Sequence, residues 1–514
     1  MLFAGHLMRN LTRRVADLRA ESVCLPDPIS VACDGLPHPE ANPVVATLRE
    51  GCERLLGCPT SLTESGQATL TLRLTRRASE GDALPAEGFC LRLEKDRVRL
   101  EAPDLRGLFH AVHAWHQMLA VTKFGVPLAC GKVMDWPHYR VRSLMLDLGR
   151  APFTLPLLRR TVRLCSHLGL NALHLHLHEN ELNPVRYPGT PLGSENPWAL
   201  DLSDYEQLIR YAQAYAIEVI PELEAWGHAG SLLQHRPDLY GASRLHGEGH
   251  AFGIGPETER FLETIFDAWL AILPDGAKIH LGLDEANWAW LPGADRTQYT
   301  RQTLVPRLHG LLRERARAHG KQAQTMMWIA SEEERVPVPP SLQPEIIGEP
   351  YWYQAHREMI PLLVQNAIAK PAMPFVFGAG ICTLHEVGAL VATDQWARLA
   401  CDIPHCLGGE LCVWGTNDLT GRLLGIFGGA ELLWRPDAMG DAVRSVADWE
   451  FALAGVAARM RTWQELMPDM RSEEFIADRG PEVWTGRYRT GPHIGEPIVP
   501  RWMPDRPQLG DAEG

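Results

Sequence analysis

Leucines alternate with polar residues over ATLTLRLTRR (68–77): Leu70, Leu72 and Leu74 fall between Thr69, Thr71, Arg73 and Thr75, the period of a half-buried strand. GFCLRLEKDRVRLEAPD (88–104) repeats the alternation twice about a polar turn at Lys95 and Asp96, which predicts a hairpin. The period then lengthens to that of a helix in GLFHAVHAWHQML (107–119). These elements predict a small α+β domain, a sheet with covering helices, over 1–135.

Beyond Arg140 short apolar runs alternate with capped helical stretches. SLMLDL (143–148) reads as a strand, and Thr154 caps a helix striped by Leu157, Leu158, Thr161, Val162, Cys165 and Leu168 until Gly169 stops it. NALHLHLH (171–178) is the next strand; Ser203 and Glu206 form an expected capping box, with Leu202 as staple, before IEVIPE (217–222). A helix over 257–273 leads to KIHLGL (278–283). QTMMWIA (324–330), EIIGEP (345–350), PFVFGA (374–379) and LGGELCVW (407–414) follow, with helical stretches expected between them. Eight βα units in ~280 residues have the size and rhythm of an α/β (β/α)8 TIM barrel. The expected division is 1–135 for the first domain, 136–435 for the barrel and 436–514 for a C-terminal helical segment and tail.

Composition changes this picture little. With 45% hydrophobic and 22% charged residues in 514, the chain has an ordinary globular make-up. A formal charge of −13 argues against nucleic acid or an anionic membrane as partner. No run approaches the ~20 apolar residues that span a bilayer. The start, MLFAGHLMRNLTRRVADLRAE, lacks the order of a secretory signal, so a cytoplasmic location is expected. Eleven cysteines without a CxxC pair suit reduced thiols better than a disulfide framework or a zinc site.

Barrel sites lie at the C-terminal ends of strands, so the residues finishing each strand are the informative ones. They are Asp147 and Arg150; His178, Glu179 and Asn180; Glu222, Glu224 and His228; Asp284 and Glu285; and Trp328, Trp352 and Trp414. Acids, an arginine and indoles at converging ends suit a carbohydrate, because indole faces stack on pyranose C–H faces and charged groups bind hydroxyls. No cofactor and no metal is then required. A single Trp is more often core than ligand contact. An adjacent Asp284–Glu285 pair can hold one carboxyl protonated near neutrality, as glycoside cleavage needs, or can simply begin a helix. LHLHLH alternates too: His174, His176 and His178 share one face; interior hydrogen-bonded packing is the expected role of His174 and His176, and His178 is a candidate pocket neighbour.

RSLMLDLGRAPF (142–153), LGLNALHLHLHEN (168–180), YAIEVIPELEAWGHAG (215–230) and IHLGLDEA (279–286) resemble successive motifs of glycoside hydrolase family 20, the β-N-acetylhexosaminidases. The resemblance runs from about 60 to 435, and is to a divergent, intracellular bacterial-type branch. It implies a retaining, substrate-assisted exo-hydrolase of terminal β-linked GlcNAc or GalNAc that works through an oxazolinium ion. By resemblance Glu285 is the acid and later base, and Asp284 orients the acetamide. Arg150 falls on a hydroxyl-binding arginine, Glu179 and His228 on residues supporting Glu285, and Trp328, Trp352 and Trp414 on the enclosing indoles.

The departures are specific. Leu283 stands where a second glycine is usual, ENELN replaces DDQGW, and Asn417 or Asp418 stands in for an acid near Trp414. FGAGICTLHEV after the seventh strand offers no tyrosine for the acetamide oxygen, which leaves Tyr351 or Tyr353 on the sixth. Two other readings stay open: a metal-dependent amidohydrolase built on His174, His176, His228, His280 and Asp284, and an inactive sugar-binding homologue.

Overall fold

The computed structural model describes residues 15–64, 68–78, 81–122, 127–241, 251–285, 288–329, 336–354, 356–380 and 386–437, with helical pieces at 456–457, 460, 464 and 472–479. The expected C-terminal segment therefore lies mostly outside the described residues. Its helix Ser472–Arg479 returns to the barrel, where Arg160 Nε donates to Asp478 at 2.6 Å.

The first unit is a seven-stranded mixed sheet among the described residues. Its centre is the hairpin of Phe89–Leu93 and Val98–Ala102, antiparallel as the polar turn predicts. Helices Pro43–Leu56 and Leu105–Thr122 pack on it through Val45, Leu48, Leu108, Val112 and Trp115. The sheet's last strand ends at Asp135, and the barrel begins six residues later.

Eight parallel strands close the barrel: β1 Val141–Asp147, β2 Ala172–His176, β3 Glu218–Glu222, β4 Ala277–His280, β5 Ala323–Ile329, β6 Ile346–Pro350, β7 Phe375–Gly380 and β8 Cys406–Val413. The helices are α1 Leu155–His167, α2 Leu202–Ala214, α3 Pro256–Ile272, α4 Arg301–Ala318, α5 Met359–Ile368, α6 Glu386–Ala400 and α7 Leu423–Trp434. Thr154 caps α1 by accepting from Leu157 N, as its position predicts. The cap of α2 falls two residues earlier than expected. Asp204 reaches back to Asp201 N at 3.1 Å, so Leu202 is the first helical residue and not a staple before it.

A second difference concerns the link from β5 to β6. Among the described residues it holds a single 3-10 turn, Gln343–Glu345, where a helix was expected. Pro337, Pro339 and Pro340 remove the amide donors a helix there would need.

Alternation on the strands sorts the barrel interior into layers. At the bottom Ala172, Ile220, Met326, Ile347 and Val376 pack together. Two residues further along the same faces the filling turns ionic: His174, Glu222, His280, Glu349 and Glu410, all 0% exposed. Leu173, Leu175 and Leu177 point the other way, into the core under the helices. Burying those leucines fixes the register of β2, because a slip of one residue would drive its histidines into oil.

The two units meet across a buried polar seam. Glu87 accepts from Arg106 Nη1 at 3.0 Å, from Asn171 Nδ2 at 3.2 Å and from Arg142 of β1. Burial pushes the Glu87 carboxyl up, but His110 and Arg142 more than offset that and hold it well below the usual carboxylate range. Beside it His113 and His167 meet through their Nδ1 atoms at 3.1 Å.

Candidate active site

The site forms where the strand tips stop being regular. β4 ends at His280, and Gly282 (φ 67°), Leu283 (φ 76°) and Glu285 (φ 47°) take left-handed backbone that turns both acids inward. Gly282 is required by space as well as by φ: a Cβ there would sit 2.0 Å from the Glu224 carboxylate. Leu283, in the position expected to be a second glycine, is 2% exposed, and its burial offsets the backbone cost.

Glu285 Oε2 lies 3.3 Å from His228 Nε2, and His228 Nδ1 is hydrogen-bonded to Glu179 Oε1 at 2.8 Å. Glu179 is clamped further by Arg150 Nη2 at 2.7 Å and by the amide of Asn180 at 2.8 Å. Burial opposes ionisation of both groups, yet Arg150 and His228 hold Glu179 well below the ordinary range. Glu179 in turn holds His228 well above its own. Asp284 behaves differently. Burial, opposed by His228 and reinforced by the neighbouring Glu285 charge, raises its pKa to about 7.

Arg150 also donates to Asp147 Oδ2 at 3.1 Å and lies 5.3 Å from the centre of the Trp414 ring. Trp328, Trp414, Tyr351 and Tyr353 form one aromatic group with Met145 and Cys412. Trp328 and Trp414 are 6.0 Å apart, Tyr353 is 6.1 Å from Trp414, and the Trp328 indole donates to Glu222.

Trp352 does not join that group. Strand alternation turns it outward onto the helix-side core, where its carbonyl accepts from Trp396 of α6 at 3.1 Å; Tyr351 and Tyr353 take the inward places. His178 is a second correction. β2 ends at His176, and beyond it the chain turns His178 against Tyr187, whose hydroxyl lies 2.9 Å from Nε2. Of the two stand-ins near Trp414, Asn417 donates to Pro152 O at 2.7 Å, while Asp418 Oδ1 binds Thr420.

Two interior acids escaped the sequence reading altogether. Glu349 and Glu410 occupy inward positions of β6 and β8, and a lone charged residue between apolar neighbours in a buried parallel strand was the available signal. Several of these groups could hold a cation: His174, Glu222 and His280 present ligand atoms within 4.8 Å of one another, as do His228, Asp284 and Glu285. Some of these donors are hydrogen-bonded to acids, whereas His174 Nε2, His280 Nε2 and both Glu349 carboxylate oxygens have no hydrogen-bond partner among the described residues. His176 reaches Glu222 at 2.7 Å and Glu179 at 3.2 Å, and His174 reaches Glu410 at 2.8 Å.

Acids converging with indoles at the mouth of a closed parallel barrel suit a carbohydrate ligand. Residues 139–329 match the model of the glycosyl hydrolase family 20 catalytic domain, and 14–136 match that of domain 2 of the same family. The chain belongs to glycosyl hydrolase family 20. A β-N-acetylhexosaminidase of Cellulomonas fimi is 28% identical over 260 residues, 45% of this chain and 50% of that one. A β-hexosaminidase of Akkermansia muciniphila is 25% identical over 252 residues, again 50% of its length. The chain thus spans about half the length of these relatives. Among solved structures, a chitobiase of Flavobacterium johnsoniae superposes with a TM-score of 0.69 at 18% identity, covering 91% of this chain and 74% of that one. The Streptomyces plicatus N-acetyl-β-hexosaminidase bound to thio-NAglucal gives 0.66 at 18%, covering 89% and 94%.

Proposed function

We propose that the protein is a retaining exo-β-N-acetylhexosaminidase that removes terminal β-linked GlcNAc or GalNAc with the help of the substrate's own acetamido group. The observation that carries this reading is the placement of Asp284 and Glu285 side by side at the β4 tip, with Glu285 3.3 Å from His228 and the Trp328–Trp414–Tyr353 group on the same interior face. The acetamido oxygen attacks the anomeric carbon while Glu285 protonates the departing oxygen. Glu285, now a carboxylate, takes a proton from the water that opens the oxazolinium ion.

Asp284 accepts the acetamide N–H and balances the positive charge that develops on it. Holding nucleophile and electrophile in one molecule accounts for roughly 7–11 kcal/mol of barrier lowering in well-oriented cases. Tyr353 takes the place of the tyrosine missing after β7. Gly380 makes room for it, since a Cβ there would lie 2.4 Å from the Tyr353 side chain. Arg150 binds hydroxyls at the pocket floor. We assign the chemistry to 136–435 and a non-catalytic, supporting role to 1–135. No disulfide joins the described cysteines, which supports work in a reducing compartment such as the cytoplasm.

The test is release of p-nitrophenol from the β-N-acetylglucosaminide and the β-N-acetylgalactosaminide. Turnover of at least one is expected, with a loss of about 10²- to 10⁴-fold in Glu285→Gln and tight inhibition by a thiazoline mimic of the oxazolinium ion. No turnover of either substrate by the folded wild type overturns the reading. Activity abolished by a chelator and restored by a metal would favour the amidohydrolase instead.

A further inference from the structure

We propose that His176, Glu222, His174 and Glu410 are positioning residues for the Asp284–Glu285 pair, joined to it in one unbroken chain of alternating acids and imidazoles that descends through the barrel. The proposal rests on the hydrolase reading. From the top the links are Glu285–His228 (3.3 Å), His228–Glu179 (2.8 Å), Glu179–His176 (3.2 Å), His176–Glu222 (2.7 Å), Glu222–His174 (3.2 Å) and His174–Glu410 (2.8 Å). His228 and His176 each face two different carboxyl groups through their two nitrogens; His174 is hydrogen-bonded to Glu410 through Nδ1, while its Nε2 meets Glu222 as an ion-pair contact outside hydrogen-bond geometry. Two fixed groups brace the chain from the side: Arg150 at Glu179 and the Trp328 indole at Glu222.

Packing does not demand such a filling. The layer just below it is Ala172, Ile220, Met326, Ile347 and Val376, so this barrel accommodates apolar side chains at inward positions of the same strands. Buried ion pairs contribute little net stability compared with apolar residues of similar volume. The four carboxyls and three imidazoles of the chain, Glu285 and Glu410 included, therefore call for another role. Alternation supplies one, because every ring between two acids favours the imidazolium. Burial opposes this, but Glu410 and Glu222 raise His174 to about 9, and Glu222 and Glu179 hold His176 well above the usual histidine range. The groups facing the chain are Asp147, Glu224, His280 and Glu349; burial next to other acids keeps Glu224 and Glu349 protonated, and burial keeps His280 neutral.

The chain reaches the pocket in two ways. It locks the His228 ring that Glu285 faces, and it places charges of both signs beneath Asp284: His176 favours the carboxylate, whereas Glu222 disfavours it. Replacing links should therefore move the Asp284 titration in opposite directions, which a merely structural role would not do.

The experiment is the pH profile of kcat/KM for p-nitrophenyl N-acetylglucosaminide. The wild-type acid limb is expected near pH 7. Glu410→Gln keeps the shape at the foot of the chain, remote from substrate; it removes the larger of the two carboxylate influences on His174 and should move that limb by about half a pH unit. His176→Asn should raise it, and Glu222→Gln should lower it. A folded Glu410→Gln whose profile superimposes on the wild type overturns the proposal. A second measurement needs no variant: in ¹⁵N-histidine spectra of the wild type at pH 8, three rings should stay protonated at both nitrogens. The absence of any such ring overturns the proposal as well. A wild type without turnover would sink the hydrolase reading alone, and the spectra would still decide the chain.

Discussion

Three residues of the site, His228 (φ 46°), Leu283 and Glu285, stand on left-handed backbone that side chains usually avoid. Their strain is local and is held by what surrounds them: a buried Leu283 on one side and the clamped Glu179 on the other. Gly282 is the position with no alternative, since both its φ of 67° and the adjacent Glu224 carboxylate exclude a Cβ. Gly282→Ala should therefore destabilise the fold by more than about 1 kcal/mol and lower kcat by displacing Asp284. Urea unfolding followed by tryptophan fluorescence, alongside p-nitrophenol release, checks both. Unchanged kcat with unchanged stability would show that the tip can relax, and the spatial argument would fail.

At the scale of elements, the two-residue repeat of a strand decides which groups can act together. On β2 it sends His174 and His176 inward and the leucines outward. Past the end of β6 the same repeat places Tyr351 and Tyr353 with Trp328 and Trp414, and turns Trp352 to the helices. The two aromatic positions should thus respond differently. In the role proposed for Tyr353, Tyr353→Phe would remove a donor to the acetamide oxygen, and it should cost roughly 10- to 100-fold in kcat/KM. Trp352→Phe should leave kcat and KM near wild type while lowering the melting temperature. Equal kinetic losses in the two variants would contradict this assignment. The sequence made the strand legible but not its phase beyond the tip, because both parities there are aromatic and only the strand's exit angle separates them.

At the scale of the whole molecule, two sets of buried histidines pull stability in opposite directions with pH. Burial depresses His110, His113 and His167 at the junction, and lowers His116 inside the first unit to about 4, so these groups stay neutral. An unfolded chain takes up their protons below about pH 6.5, and stability falls from there toward pH 4, by up to about 1.4 kcal/mol per pH unit for each group. His174, His176 and His228 have raised values, so their contribution is full below about pH 6.5 and is lost as pH rises toward 9. The urea midpoint should accordingly peak near pH 6.5 and decline on both sides. A midpoint still rising from pH 6.5 to 9 would show that the barrel histidines are not held as cations. The sequence by itself determined the eight-strand rhythm, the Thr154 cap and the adjacency of Asp284 and Glu285, because hydrophobic period and near neighbours are local properties of a chain. Only the tertiary structure decided that Glu410, 125 residues beyond Glu285, stands at the other end of the same chain of contacts. Closing a barrel brings the inward faces of β2, β3 and β8 together, and no linear pattern records which side chains then share a layer.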